Sequence, residues 1–173
     1  MDAGDRDTWA GDQDERPLSD LGRRQAGVLA DALVGEAIDA LYAGPALRCR
    51  QTLGVLGERL RLRVDVIPEL GEKHAWRVPP GWDERTRSLG IPAEAAFAAG
   101  SMQHAFLQMQ ALWPDGHVVA CSHGHTIPAF IAYHVSSQGL ANVPPLEYRG
   151  QWYRLHHTDA LTIERIEIAD FPR

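Results

Sequence analysis

The sequence predicts a three-layer α/β/α sandwich with a mostly parallel sheet, and three observations carry that reading. Short strand-like runs (residues 38–44, 63–70 and 117–122) alternate with helix-like stretches along the chain, the order that builds crossover units. The run 38–44 is short and apolar, as suits a strand buried between layers. The 173 residues suffice for one domain with a full core and are too few for two comfortable ones, so residues 1–173 read as a single domain.

The elements follow in order. Residues 1–18 are polar, rich in Asp, Arg and Gly, and lack periodicity, which predicts a loop. A helix follows, with Ser19 as N-cap, Leu21, Val28, Leu29 and Leu33 broadly on one face and Gly35 as its stop. Residues 38–44, IDALYAG, suit a buried strand, and PALRCRQTLGVLGERL a second helix with Pro45 in its first turn. RVDVIPEL is an alternating strand broken at Pro68. Residues 73–92 hold Pro, Gly, Trp76 and Trp82 without a period and predict a long excursion or flap. AEAAFAAGSMQHAFLQMQALW is helical by composition despite Gly100, and HVVACS is a buried strand. TIPAFIAYHVSSQG is a helix, and QWYRLHH with ALTIERIEIA are two closing strands that form an antiparallel edge.

Composition narrows the function. A formal net charge of -6 argues against general affinity for nucleic acid or anionic membranes, both of which select basic patches. It leaves room for a small anion held by a few arginines. The two cysteines, Cys49 and Cys121, suggest neither a disulfide framework nor a zinc site, so a reducing cytoplasmic setting is the simplest expectation. No run approaches the roughly 18 apolar residues of a membrane span, and the acidic start is unlike a signal peptide. The expectation is a soluble, cytoplasmic protein. His123, His125, His134, His156 and His157 match no zinc spacing, so neither metal nor cofactor is expected.

In open parallel sheets, ligands collect at the carboxyl ends of strands. Two such junctions carry chemistry: YAGPALRCRQT, with Arg48 in the first turn of a helix, and CSHGHT, with His123 entering the next one. Backbone N–H groups at helix starts, together with a guanidinium and an imidazole, suit a phosphate.

These junctions, with ERPLSDLGRRQA (15–26) and PELGE (68–72), stand in the order found in the histidine phosphatase superfamily. The chain thus resembles that phosphoglycerate mutase-like family, and most nearly its small bacterial phosphohistidine phosphatase-like branch. The resemblance implies metal-independent hydrolysis of a phosphomonoester or phosphohistidine through a phosphohistidine intermediate; a mutase is less suited to so short a chain. It puts Arg48 and His123 on the phosphoryl oxygens and Glu72 as the acid that protonates the leaving group, with Glu69 a weaker choice. Gly124 and Arg16 join the phosphate-binding set, Arg16 lining the pocket mouth. An imidazole nucleophile splits one hard transfer into two, and planar guanidinium forks match phosphoryl oxygens.

One part of the family pattern is missing. The nucleophilic histidine belongs to an N-terminal Arg-His-Gly or Arg-His-Ala motif that ends a first, central strand, and alignment on AGDR (3–6) puts it just before Met1. Relative to the family the domain therefore reads as N-terminally truncated, with that strand missing. Two expectations stand side by side: a longer protein whose upstream segment supplies strand and nucleophile, or a phosphate-binding pseudoenzyme or interaction module with little or no activity. Either takes a small phosphorylated substrate or a phosphoprotein as partner, and the oligomeric state is left open.

Overall fold

The computed structural model describes residues 1–72, 93–140 and 143–172. The predicted 73–92 excursion, with Trp76 and Trp82, lies outside the described residues. Helix α1 spans Asp20–Leu33, and Ser19 caps it by accepting from the Gly22 N–H. It ends at Val34, one residue before the expected glycine. Strand β1 is Ala40–Ala43 and helix α2 Leu47–Leu60. Ala46 is the residue before α2, so Pro45 lies outside the helix rather than in its first turn. Strand β2 (Val64–Val66) runs into a 3-10 turn at Pro68–Leu70, where proline needs no N–H partner. Helix α3 covers Ala93–Leu112, β3 Val118–Cys121 and α4 Thr126–Gln138, after which Gly139 takes a left-handed φ of 64°. Strands β4 (Gln151–His157) and β5 (Leu161–Glu167) close the chain.

The parallel sheet has the order β2-β1-β3, with Leu41 opposite Val64 and Val119. Because successive strand residues point to opposite faces, β1 divides its side chains between two layers. Leu41 and Ala43 pack with Leu29 and Leu33 of α1 and Leu53 and Leu56 of α2. Ala40 and Tyr42 face the other way, onto Ile67, Leu70 and Ala105 of α3. Helices thus cover both faces of β1, and all four of its residues are buried, which makes it the centre of the sandwich.

Two expectations about strands need correction. β3 is not buried: its residues are half-buried, with Ala120 exposed, because β1 pairs one of its edges and no described strand pairs the other. β4 and β5 pair antiparallel as expected, but they form a separate two-stranded sheet rather than an edge of the parallel one. Trp152 of β4 still packs on the core formed by α1, β1 and α2.

Helix α4 lies against α3 through aromatic side chains. Phe106 meets Phe130 at 5.6 Å, and the His134 ring stands edge-on to Phe130 at 4.6 Å. Buried His134 is held as a neutral imidazole: its Nε2–H donates to Gln103 Oε1 at 2.7 Å, and Nδ1 accepts from Gln138 Nε2 at 3.1 Å. Burial lowers its pKa below the usual 6.5.

This depression fixes the sign of a pH effect. Above 6.5 both folded and unfolded chains hold the imidazole neutral and the packing contribution is complete. As pH falls below that value the unfolded chain protonates first, and the contribution is lost by the time pH has passed the lower folded pKa. We predict that His134→Asn is less sensitive than wild type to acidification from about pH 7.5 to 5. Urea unfolding at each pH tests this, and parallel stability curves for the two proteins would refute it.

Candidate functional site

The site forms where the carboxyl ends of β1 and β3 meet the starts of α2 and α4. Gly44 follows β1, and its N–H donates to the Cys121 carbonyl at 2.9 Å, holding the two strand ends together. A Cβ at Gly44 would lie 2.6 Å from the Leu70 carbonyl oxygen, so only glycine lets the 68–72 turn close over this junction. That closure brings Glu72 over the first turn of α2.

Arg48 is buried there and makes three side-chain contacts through two nitrogens. Its Nη1 donates to the Gln13 carbonyl at 2.5 Å, and its Nη2 to Glu72 Oε2 at 2.6 Å and His123 Nδ1 at 3.2 Å. Its backbone carbonyl accepts from Thr52 Oγ1 at 2.8 Å. The Arg-x-x-Gln-Thr segment is therefore a single helical device. Thr52 braces the turn that presents Arg48, and Gln51 Oε1 accepts from the Leu18 N–H at 2.8 Å, docking the N-terminal segment beside it.

His123 is buried, with Arg48 on one ring nitrogen and Cys49 Sγ at 3.6 Å from the other. Since a guanidinium can only donate, Nδ1 is the acceptor and the proton sits on Nε2. Glu72 Oε2 lies 3.6 Å from the same Nδ1, and its Oε1 lies 3.1 Å from His125 Nδ1. One carboxylate thus faces a guanidinium and two imidazoles, a set of groups suited to an anion.

A cavity of about 270 Å³ opens in front of them. Arg16, Arg48, Glu72, His123 and Gly124 all line it, so five residues picked out in the sequence meet at one place. Arg16 donates to the Ala3 and Gly4 carbonyls at 3.3 and 3.0 Å, and its Nε is buried without a partner among the described residues. Burial and the nearby Arg48 charge lower the Arg16 pKa. Glu69 points away, its Oε1 3.4 Å from His104. Three further histidines weighed in the sequence stand apart: His134 lies between α3 and α4, His156 pairs with Glu164, and His157 packs on Phe106.

Four features of the site escaped the sequence reading. Arg149 lines the cavity and pairs with Asp2 across almost the whole chain. Asp2 is therefore no ordinary loop charge: it also accepts from Ser19 Oγ at 2.5 Å, and these partners hold its carboxyl below the usual range. His125, weighed in the sequence as a metal ligand, meets Glu72. Cys49 and Cys121 both line the cavity, although their spacing carries no motif. Only the Ser19 cap, seen as a helix signal, hinted at any of these.

Comparison with known proteins follows the same lines. Residues 3–78 match the family model of the histidine phosphatase superfamily (branch 1). An 8-oxo-(d)GTP phosphatase of Mycolicibacterium smegmatis is 27% identical over 131 residues, covering 76% of this chain. The chain spans 34% of that curated relative's length. A mycobacterial glucosyl-3-phosphoglycerate phosphatase solved with VO3 superposes with a TM-score of 0.61 at 22% identity, over 90% of this chain and 87% of that one. Phosphoglycerate mutase from Bacillus anthracis gives a TM-score of 0.61 at 15% identity, over 88% and 82% of the two chains.

The Arg48–Glu72 pair is shielded on both sides, with side chains 10% and 12% exposed. Removing one partner of such a pair strands the other, whereas removing both need not. We predict that Arg48→Ala costs about 3 kcal/mol, and that adding Glu72→Gln restores part of the loss. A double-mutant cycle by urea unfolding measures the coupling; additive losses would mean the pair contributes nothing as a pair.

Proposed function

We propose that this relative of the histidine phosphatase superfamily, with its phosphoglycerate mutase-like fold, binds the phosphoryl group of a small phosphorylated compound between Arg48 and His123. The observation that carries the reading is the convergence of Arg48, His123 and Glu72 within 3.6 Å of one another at the joined ends of β1 and β3. Arg48 supplies a planar fork that matches two phosphoryl oxygens, and the start of α4 supplies backbone N–H groups. Gly124 leaves that approach open, with nothing near the position a Cβ would take. Arg16 adds positive charge at the mouth. The names of the relatives, an 8-oxo-(d)GTP phosphatase and a glucosyl-3-phosphoglycerate phosphatase, support a phosphorylated substrate as the class.

Glu72 has two parts in this reading. With the site empty its carboxylate neutralises Arg48; with a phosphoryl group bound it is displaced from the guanidinium and stands beside the ester oxygen, where an acid is needed. Hydrolysis through a phosphohistidine needs two imidazoles at the pocket, one to attack and one to hold an oxygen. Among the described residues that line the pocket only His123 is an imidazole, and its two ring nitrogens face Arg48 and Cys49. These 173 residues therefore support binding more directly than turnover. In a longer protein carrying Arg-His ahead of Met1, that imidazole would enter where Met1 lines the wall, and the same pocket would hydrolyse its ligand.

Calorimetric titration with inorganic phosphate and with vanadate tests the reading. Binding is expected for the wild-type chain and is weakened roughly tenfold or more in Arg48→Ala, the loss expected for one charge-assisted hydrogen bond. Glu72→Gln is expected to bind phosphate more tightly, because it removes the competing carboxylate. Hydrolysis of p-nitrophenyl phosphate is expected at the level of buffer alone. Robust turnover abolished by Arg48→Ala would show that a nucleophile is already present and refute the binding-only reading.

A further inference from the structure

The two cysteines are 72 residues apart in sequence, and the fold places both against the wall of the phosphate pocket. Cys49 is the third residue of α2 and Cys121 the last of β3. Both sulfurs reach the same acceptor, the Ser122 carbonyl oxygen, at 3.7 Å from Cys49 Sγ and 3.9 Å from Cys121 Sγ. The shared acceptor puts the two thiols side by side. Each is tied to the phosphate machinery: Cys49 follows Arg48 and touches His123 Nε2 at 3.6 Å, and Cys121 precedes His123 by two residues.

We propose that Cys49 and Cys121 are a dithiol modification site, which a hydroperoxide arriving through the pocket converts to an intramolecular disulfide that weakens phosphate binding. The steps balance without help from the protein. The Cys121 sulfur attacks the terminal peroxide oxygen, the O–O bond breaks, and an alcohol or water leaves with Cys121 as a sulfenic acid. The Cys49 sulfur then attacks that sulfur; the thiol proton and the departing hydroxide form water, and the S–S bond closes. Two thiols are oxidised by two electrons and one peroxide is reduced.

The order of the steps follows from access: Cys49 is buried, whereas Cys121 is half-buried and is met first by a peroxide in the pocket. The same direction holds for charge: the neighbouring Cys121 and burial push the Cys49 thiol up, whereas the neighbouring Cys49 brings Cys121 down. Arg48 also favours a negative charge on Cys121. Cys121 is thus the readier nucleophile, and Cys49 the group that resolves the sulfenic acid.

Bond formation has a mechanical result. A disulfide needs a sulfur separation of about 2.05 Å, shorter than any hydrogen-bonded contact between thiols. Closing that distance draws the first turn of α2 toward the end of β3 and takes the Cys49 sulfur from its place beside His123. Arg48, one residue away, moves with it. The consequence for phosphate rests on the binding reading above; the cross-link itself does not.

The full chain treated with hydrogen peroxide, alkylated and digested with trypsin, decides between the outcomes. A peptide joining Cys49 to Cys121, loss of both free thiols and reversal by dithiothreitol are expected, with inorganic phosphate slowing the reaction. In Cys49→Ser the reaction is expected to stop at a sulfenic acid on Cys121 that dimedone traps. Two thiols that survive peroxide in the folded chain yet react in urea would overturn the proposal, as would cross-links only between chains. The oxidised chain is expected to bind phosphate roughly tenfold more weakly than the reduced one, a typical size for coupling between sites. Equal binding by both forms would overturn the link to phosphate. Absence of phosphate binding in the reduced chain would instead refute the function proposed above, leaving the cross-link to be judged by its peptide.

Discussion

The buried contact between Arg48 and Glu72 is the interaction on which the site depends. Arg48 stands on α2 and Glu72 ends the turn that follows β2, so the pair fastens a helix start to a loop that would otherwise close over nothing. A guanidinium out of water is tolerated only with its donors occupied, and Gln13, Glu72 and His123 occupy them. Three separate parts of the chain are thereby held to one side chain. The arrangement also leaves the pocket electrostatically poised, because the carboxylate that stabilises the empty site is the group an incoming anion must displace.

Much of the fold was legible because it rests on local rules. The alternation in ALYA sends side chains to two faces, and the structure covers both faces with helices. Ser19 caps α1 as its residue type and position imply, and Gly139 turns the chain out of α4. Arg48 and His123 could be named in advance because each lies at a strand-to-helix junction, and Glu72 because the family resemblance points to it. What stayed hidden depends on distance along the chain. No pattern near Asp2 points to Arg149, and nothing near Cys49 points to Cys121. The separation of the β4–β5 pair was equally unreadable, since an alternating strand looks the same whether it joins a large sheet or a small one.

The sheet itself explains why the site sits where it does. β1 is buried on both faces, whereas β3 is half-buried and, among the described residues, paired on one edge only. Arg48 is thus mounted after a fully buried strand and His123 after a half-buried one. The Gly44 hydrogen bond to Cys121 couples the two, so the geometry between guanidinium and imidazole is set at the strand ends rather than by the helices that follow.

The ties made by Asp2 and Gln25 have a further consequence, for the order in which the chain is assembled. Gln25 accepts from the Asp2 N–H and donates to the Pro172 carbonyl, and Asp2 reaches Arg149; the Gln25–Pro172 and Asp2–Arg149 contacts each close a loop of 147 residues. Helix α1 leaves room for the Asp2 carbonyl at Gly22, where a Cβ would lie 1.9 Å from its oxygen. Contacts of such sequence separation bring little reward until the intervening chain is already folded. The wall of the pocket is therefore completed late in folding, and it is among the first parts to open when either terminus frays.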